Sequence, residues 1–183
     1  MGYKVKTLHT ELFNQTCLDL RKAVEASGYR PDAIVAIPRA GLWMQEAAWS
    51  DYPVNSVRLV RPPKGTLKRN ISQIIKLMPL KLRDSLRIWE ARKLVKRSRH
   101  MDNTGIILPS LSAGVKNILL IDDAVDSGAT LKAIVEKFKA EYPDADIRSA
   151  VITKTYPDAI FDPDYCIYND SILIRTPWSI DMK

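Results

Sequence analysis

The stretch Ile118–Leu131, ILLIDDAVDSGATL, combines three patterns that together decide the fold. Its apolar run, ILLI, predicts a strand buried on both faces, and two acids, Asp122 and Asp123, follow at the carboxyl end of that strand. A short loop with Gly128 then leads into a predicted helix that begins at Thr130. Because ligands of open α/β sheets bind beyond the carboxyl ends of the strands, this segment predicts both a parallel sheet and a ligand site.

The loop of this segment suits a phosphate group. A loop that enters a helix N-terminus presents backbone N–H groups and a partial positive charge. Gly128 allows close approach of the backbone, and the hydroxyls of Ser127 and Thr130 add donors. The acids would repel a phosphate, so we expect Asp122 and Asp123 to contact ribose hydroxyls or a bound Mg²⁺. In an alternative interpretation the acids only cap the helix and Gly128 only turns the chain. This interpretation explains each feature by itself, but it does not explain why all of them occur together in one segment.

The flanking segments continue the alternation of strands and helices. Helices are predicted over residues 7–27, 42–49 and 130–141, and strands over 33–37, 54–60, 117–121 and 147–153, with one or two more in 164–178. This order is typical of a parallel sheet flanked by helices. We therefore predict an α/β fold in which residues 1–183 form a single domain.

Three further segments extend a resemblance to one family. ILLIDDAVDSGATL closely resembles the phosphoribosyl diphosphate-binding loop of type I phosphoribosyltransferases. Residues 29–43, YRPDAIVAIPRAGLW, look like the first strand and pyrophosphate loop of that family, and residues 108–123 match the approach to its signature strand. Residues 151–156 and 164–178 are similar to the hood of bacterial xanthine–guanine and related 6-oxopurine transferases. The resemblance implies a phosphoribosyltransferase fold with a small C-terminal hood, residues 156–183.

The resemblance also implies roles for named residues. Asp122 and Asp123 would engage the ribose hydroxyls, directly or through Mg²⁺. The remaining implied ligand residues are, for the 5-phosphate, Asp126, Ser127, Gly128, Ala129 and Thr130; for pyrophosphate, Arg39 with the backbone of Ala40 and Gly41; and for the nucleobase, Lys154, Leu173 and Ile174.

Asp126 and Arg39 would carry the chemistry. Asp126 matches the position that assists proton removal from the base, and Arg39 would stabilise the leaving pyrophosphate. Lys154 matches the lysine that reads the purine 6-oxo group, although a solvated lysine at a strand end explains it almost equally well. Two departures concern the substrate: Ala40 replaces the usual glycine of the pyrophosphate loop, and Leu173 stands where an aromatic residue would stack on a purine.

A basic insertion, residues 62–105, replaces the family's catalytic flexible loop. Residues 61–100 hold 13 of the 28 Lys and Arg residues but only two of the 21 acids, so the basic character of the chain belongs to this segment. The spacing of Ile71, Ile74, Ile75 and Met78, and of Leu82, Leu86 and Trp89 after Pro79, predicts two helices. We expect them to lie beside the ligand site, with the apolar stripe buried against the body or a second subunit and the bases facing an anionic partner.

Two function classes follow. The first is an enzyme that transfers phosphoribosyl from phosphoribosyl diphosphate, with Mg²⁺, to a 6-oxopurine base. The second is a regulatory protein that keeps the ligand loop and acts through residues 62–105 on nucleic acid or a protein. We further expect a homo-oligomer, reduced cysteines at Cys17 and Cys166, and a cytoplasmic location, because the N-terminus has no apolar signal core and no stretch could span a bilayer.

Overall fold

The computed structural model describes residues 2–60, 78–95, 105–169 and 171–182. The described helices are α1 (Thr10–Ala26), α2 (Ala40–Ala48), α3 (Leu80–Val95) and α4 (Ala129–Glu141), followed by a 3₁₀ turn at Ile180–Met182. The strands are β1 (Lys4–Thr7), β2 (Ala33–Ala36), β3 (Arg58–Leu59), β4 (Ile106–Ile107), β5 (Asn117–Val125), β6 (Asp146–Lys154), β7 (Tyr165–Tyr168) and β8 (Ile172–Arg175). The predicted stripe at Ile71, Ile74 and Ile75 lies outside the described residues.

The central sheet is parallel, with the order β2-β5-β6-β7. A bridge between Ala36 and Ser56 adds the next segment of chain beside β2. The predicted α/β class with a largely parallel sheet is therefore confirmed. The strand predicted over residues 54–60 is reduced to β3, because the chain turns away after Ser56 to pair antiparallel with β4, a pairing that the sequence did not predict.

Consecutive residues of β5 face opposite sides of the sheet. Leu119 and Ile121 pack in the cluster that includes α1 and α2, whereas Ile118 and Leu120 pack in the cluster that includes α4. All four side chains are fully buried, and burial of each stabilises the fold by about 1.5–3 kcal/mol. The sheet is thus covered on both faces, as the apolar run ILLI predicts.

A second, two-stranded sheet joins the ends of the described chain. β1 and β8 run parallel, with Lys4 opposite Ile172 and Thr7 opposite Arg175. The segment predicted as a hood, residues 156–183, is divided between the sheets, since β7 extends the central sheet and β8 pairs with β1. The sequence analysis did not predict β1, whose four residues, KVKT, are too few and too polar for a clear strand pattern.

The helix α3 begins after Pro79, as predicted, but another face of it contacts the body. The side chains of Leu82, Leu86 and Trp89 are 51%, 38% and 57% exposed. The body therefore does not bury this stripe, and a second subunit as its partner stays a prediction.

The face of α3 that meets the body carries charged and small residues. Its members, Asp84, Arg87, Ile88 and Ala91, share the spacing of one helix face. Ala91 is buried with Tyr156 and Leu173, and Ile88 packs against the same cluster. Ion pairs supply the rest of the contact, which a search for apolar periodicity could not find.

Cys17 is buried and Cys166 is half-buried. Both pack in hydrophobic clusters, which confirms them as packing residues. Within the described ranges no helix is long and apolar enough to cross a membrane.

Candidate active site

The predicted acid pair lies at the carboxyl end of β5. The strand is longer than predicted: it continues through Asp122 and Asp123 to Val125, because its pairing with β6 persists there. Both carboxyl groups are half-buried, and the backbone N–H of Asp123 donates to Oδ1 of Asp122 at 2.9 Å. The pair is therefore held on a rigid strand.

Burial governs the electrostatics of this pair. Burial first, and then repulsion from Asp123, raises the pKa of Asp122 well above its usual value. Burial raises the pKa of Asp123 to about 6. A cation or a hydrogen-bond donor placed between these carboxyl groups would relieve both effects.

The loop after β5, residues 126–130, is the segment predicted as a phosphate cradle. Gly128 has φ +79° and precedes the first residue of α4, Ala129. A Cβ atom on Gly128 would lie 2.8 Å from the backbone N and O of Phe161, and the N–H of Ile160 donates to the carbonyl of Ser127 at 2.9 Å. The segment after Tyr156 therefore packs directly on the cradle, and only glycine fits at residue 128.

Asp126 stands at the start of this loop. Its side chain is exposed to the cleft, yet protein atoms crowd it, and this desolvation raises the pKa of Asp126 despite a hydrogen bond from Thr155. A carboxyl group with a raised pKa that remains accessible is suited to accept a proton from a bound ligand.

The Arg39 loop connects β2 to α2, next to β5. The peptide bond between Pro38 and Arg39 is cis, and Arg39 and Ala40 line the cleft. A Cβ on Gly41 would lie 2.5 Å from the carbonyl oxygen of Ile121, so the expected contact of its backbone with pyrophosphate stays a prediction. Gly41 is buried and allows α2 to approach the sheet closely.

Lys154 ends β6 and forms an ion pair with Asp162. Its side chain is 16% exposed, and Lys154 is not among the described residues that line the cleft. Its expected contact with a purine oxo group would require Asp162 to release it.

The far wall of the cleft comes from the second sheet and from α3. Leu173 and Ile174 of β8 line it together with Tyr156. The hydroxyl of Tyr156 donates to the carbonyl of Ala91 at 2.5 Å, which ties α3 to the cleft. Sequence reasoning missed Tyr156, although its position two residues after Lys154 is a local signal.

These groups enclose one cleft of about 1070 Å³. Ten of the predicted site residues line it: Arg39, Ala40, Asp122, Asp123, Asp126, Ser127, Gly128, Thr130, Leu173 and Ile174. Gly41, Ala129 and Lys154 are outside this lining. Lining residues that the sequence analysis did not assign to the site include Arg87, Ala91, Thr155, Tyr156 and Trp178.

A group of three or more His, Cys, Asp or Glu side chains able to hold a metal ion does not occur in the described part of the chain. The acid pair instead offers two carboxylates. Mg²⁺ is commonly held by one or two carboxylates together with oxygens of a phosphorylated substrate, so the donor set fits that ion.

Comparison with known proteins shows which family and which solved structures the chain is similar to. The family description of the phosphoribosyl transferase domain matches residues 81–181, whereas curated proteins give no match. Among solved structures, the chain is similar to xanthine-guanine-hypoxanthine phosphoribosyltransferase from Helicobacter pylori, with a TM-score of 0.67, 20% identity, and coverage of 97% of this chain and 96% of that one.

Two further structures share the fold. Purine phosphoribosyltransferase from Pyrococcus horikoshii Ot3 gives a TM-score of 0.55, 15% identity and coverage of 96% and 93%. A hypothetical protein from Neisseria gonorrhoeae with bound ppGpp gives 0.61, 14% identity and coverage of 100% and 93%. At these identities the similarity is one of fold.

Proposed function

The chain belongs to the phosphoribosyltransferase family, and on that premise we propose that it transfers phosphoribosyl from 5-phosphoribosyl 1-diphosphate to a 6-oxopurine base with release of pyrophosphate. The observation that carries this proposal is the single cleft in which the acid pair, the phosphate cradle and the Arg39 loop meet. The acid pair matches the ribose hydroxyls of that substrate, the phosphate cradle matches its 5-phosphate, and the Arg39 loop matches its diphosphate.

Binding follows from the donors and acceptors of the cleft. The backbone around Gly128 and the start of α4 receive the 5-phosphate, since a helix N-terminus favours an anion. Asp122 and Asp123 accept hydrogen bonds from the ribose hydroxyls. Arg39 holds the diphosphate. Negative charge increases on the leaving oxygen of the diphosphate as its bond to the anomeric carbon breaks.

A divalent cation fits between the acid pair and the substrate. We propose Mg²⁺ held by Asp122 and Asp123, where it would offset negative charge on the leaving diphosphate. The raised pKa values of both carboxyl groups support this placement, because a bound cation favours their ionised forms.

Asp126 receives the proton that the base nitrogen loses as it attacks. Its accessible position in the cleft and its raised pKa suit this role. The position of the base itself follows from the remaining wall, where Tyr156, Leu173 and Ile174 present apolar surface for a planar ring.

The experiment is a turnover assay of phosphoribosyl diphosphate and Mg²⁺ with hypoxanthine, guanine, xanthine, adenine, orotate and uracil. We expect turnover with a 6-oxopurine, a fall in kcat of about 10²–10⁴-fold in Asp126→Asn, and loss of substrate binding in Asp122→Asn/Asp123→Asn. Asp19→Asn, on the exposed surface of α1, is the control. Turnover of orotate or uracil without any 6-oxopurine would refute the choice of base.

A second candidate is a nucleotide-binding regulator without turnover. It is favoured by the ion pair of Lys154 with Asp162, which leaves the expected base-reading lysine outside the cleft, and by the ppGpp bound to the Neisseria gonorrhoeae protein of this fold. Binding of a purine nucleotide without turnover of any base in the same panel would select this function.

A further inference from the structure

One cation of the cleft comes from α3, a helix for which the sequence analysis gave no site residue. Arg87 lines the cleft, and its side chain is 26% exposed. One terminal nitrogen donates to the carbonyl oxygen of Ile174, and the other donates to Oδ1 of Asp181 at 2.8 Å. Arg87 therefore lies along the wall that β8 contributes.

This wall is the part of the cleft that remains for the base. With a phosphate at the cradle around Gly128 and ribose hydroxyls at the acid pair, we place the planar ring against the apolar wall formed by Tyr156, Leu173 and Ile174. This step rests on the proposed function. Arg87 belongs to the same wall through its hydrogen bond to Ile174.

The hydrogen bond changes what the wall offers to a ligand. The carbonyl of Ile174 is an acceptor, but Arg87 already donates to it. A guanidinium has five N–H donors and no acceptor, and two of those donors are used by Ile174 and Asp181. Beside Ile174 the wall therefore offers a ligand the N–H donors of Arg87 in place of a carbonyl acceptor.

A network of charged groups fixes the orientation of the guanidinium. Asp181 accepts from Arg87 and also from Nε of Arg175, at 2.9 Å. Arg175 is fully buried and in addition pairs with Asp84 of α3. Because Ile174 and Asp181 accept from different terminal nitrogens of Arg87, these two hydrogen bonds fix the plane of its guanidinium.

We propose that Arg87 is a specificity-determining residue that selects bases with an oxo group, rather than an amino group, at the ring edge facing Ile174. The proposal places position 2 of the purine at this edge, and xanthine and guanine then separate the two cases, since both carry the 6-oxo group and they differ at position 2. An oxo group there accepts from Arg87, whereas an amino group would place one donor against another.

The test compares kcat/KM for xanthine and guanine in the wild type and in Arg87→Met, Arg87→Gln and Arg83→Met. We expect Arg87→Met to lower the xanthine-to-guanine ratio by about 10–100-fold, the usual effect of one buried hydrogen-bond mismatch. Arg83 is the matched control: it also docks α3, donating to the carbonyls of Asp181 and Met78, but it does not line the cleft. Arg83→Met should leave the ratio unchanged.

The outcomes separate this inference from the proposed function. If the wild type turns over no base, the transferase proposal fails, and the ratio of Kd values for xanthosine and guanosine monophosphates, measured by calorimetry, tests Arg87 instead. An unchanged ratio in Arg87→Met overturns the inference, as does a change confined to KM for phosphoribosyl diphosphate. If circular dichroism shows that Arg87→Met is unfolded, Arg87→Gln decides, because its shorter neutral side chain cannot make both hydrogen bonds of Arg87: a lowered ratio supports the inference and the wild-type ratio refutes it.

Discussion

Gly128 combines two separate requirements, a left-handed backbone and an absent side chain. Its φ is +79°, and a Cβ would meet the backbone of Phe161 at 2.8 Å. We expect Gly128→Ala to lower the free energy of unfolding by about 2–4 kcal/mol, because the cost of the left-handed conformation adds to the displacement of a backbone segment. Ligand binding should be lost as the cradle shifts.

Gly114 provides the control for this change. It has φ +80°, but a Cβ there would meet nothing within 4 Å. Gly114→Ala should therefore cost only the conformational part, about 1 kcal/mol, and leave ligand binding intact. Chemical denaturation of both variants gives the two values, and equal losses would show that the contact with Phe161 does not constrain Gly128.

The acid pair predicts a pH dependence of stability in the absence of ligand. Burial raises the pKa of Asp123 to about 6, above its usual value near 4 in the unfolded chain. The folded state therefore binds the proton more tightly, and stability is lost as the pH rises from about 4 through about 6. We expect Asp123→Asn to be more stable than the wild type at pH 7 by about 1–2 kcal/mol.

Melting temperatures across pH 4.5–7.5 test this expectation. The wild type should become less stable across that range and Asp123→Asn should change less, with Asp122 supplying the remaining slope. A wild-type protein that gains stability toward pH 7, relative to Asp123→Asn, would show that the pair is stabilised as two anions.

At the scale of elements, the docking of α3 depends on ions. Burial alone would oppose ionisation of Asp181, but the hydrogen bond from Arg175 and the charge of Arg87 outweigh it and lower the pKa of Asp181. We expect Asp181→Asn to cost about 3 kcal/mol at pH 7, because the buried Arg175 loses a charged partner. Urea denaturation measures the loss.

The lowered pKa fixes the sign of the pH effect. A depressed folded pKa contributes stability above the unfolded value, near 4, and this contribution disappears as the pH falls through the folded value. The difference between the wild type and Asp181→Asn should therefore shrink below about pH 4. Asp19→Asn, in an exposed pair with Lys22, should change stability by less than about 1 kcal/mol. A loss in Asp181→Asn as small as that would mean that apolar contacts alone hold α3.

Elements with strong apolar patterns were predicted well, and elements held by polar contacts were not. β5 and α4 follow from ILLI and from the helical segment after Gly128, because burial on both faces leaves a continuous apolar run. The orientation of α3 could not be found in this way. The apolar side chains of Leu82, Leu86 and Trp89 are exposed, whereas Asp84 and Arg87 contact the body through ion pairs.

In the candidate site, too, some residues could be predicted from the local sequence and others could not. The cradle residues and Asp122 and Asp123 are consecutive in sequence, so one local segment specifies their geometry. Arg87 reaches the cleft only because α3 docks on β8, a distant segment of the chain, and no local spacing encodes that contact. The position of Lys154 at the end of β6 was predicted, but its ion pair with Asp162 was not, because that pair depends on the fold of the following loop.

For the molecule as a whole, we expect the pairing of β1 with β8 to form late in folding. Arg175 of β8 hydrogen-bonds Thr7 of β1 across 168 positions of the chain, a contact of high sequence separation that forms slowly because of loop-closure entropy. On the ribosome the strands of the central sheet emerge before β8, so that sheet can assemble first. We therefore expect the wall formed by Leu173 and Ile174 to be completed after the acid pair and the loop of Gly128 are in place, because β8 must first pair with β1.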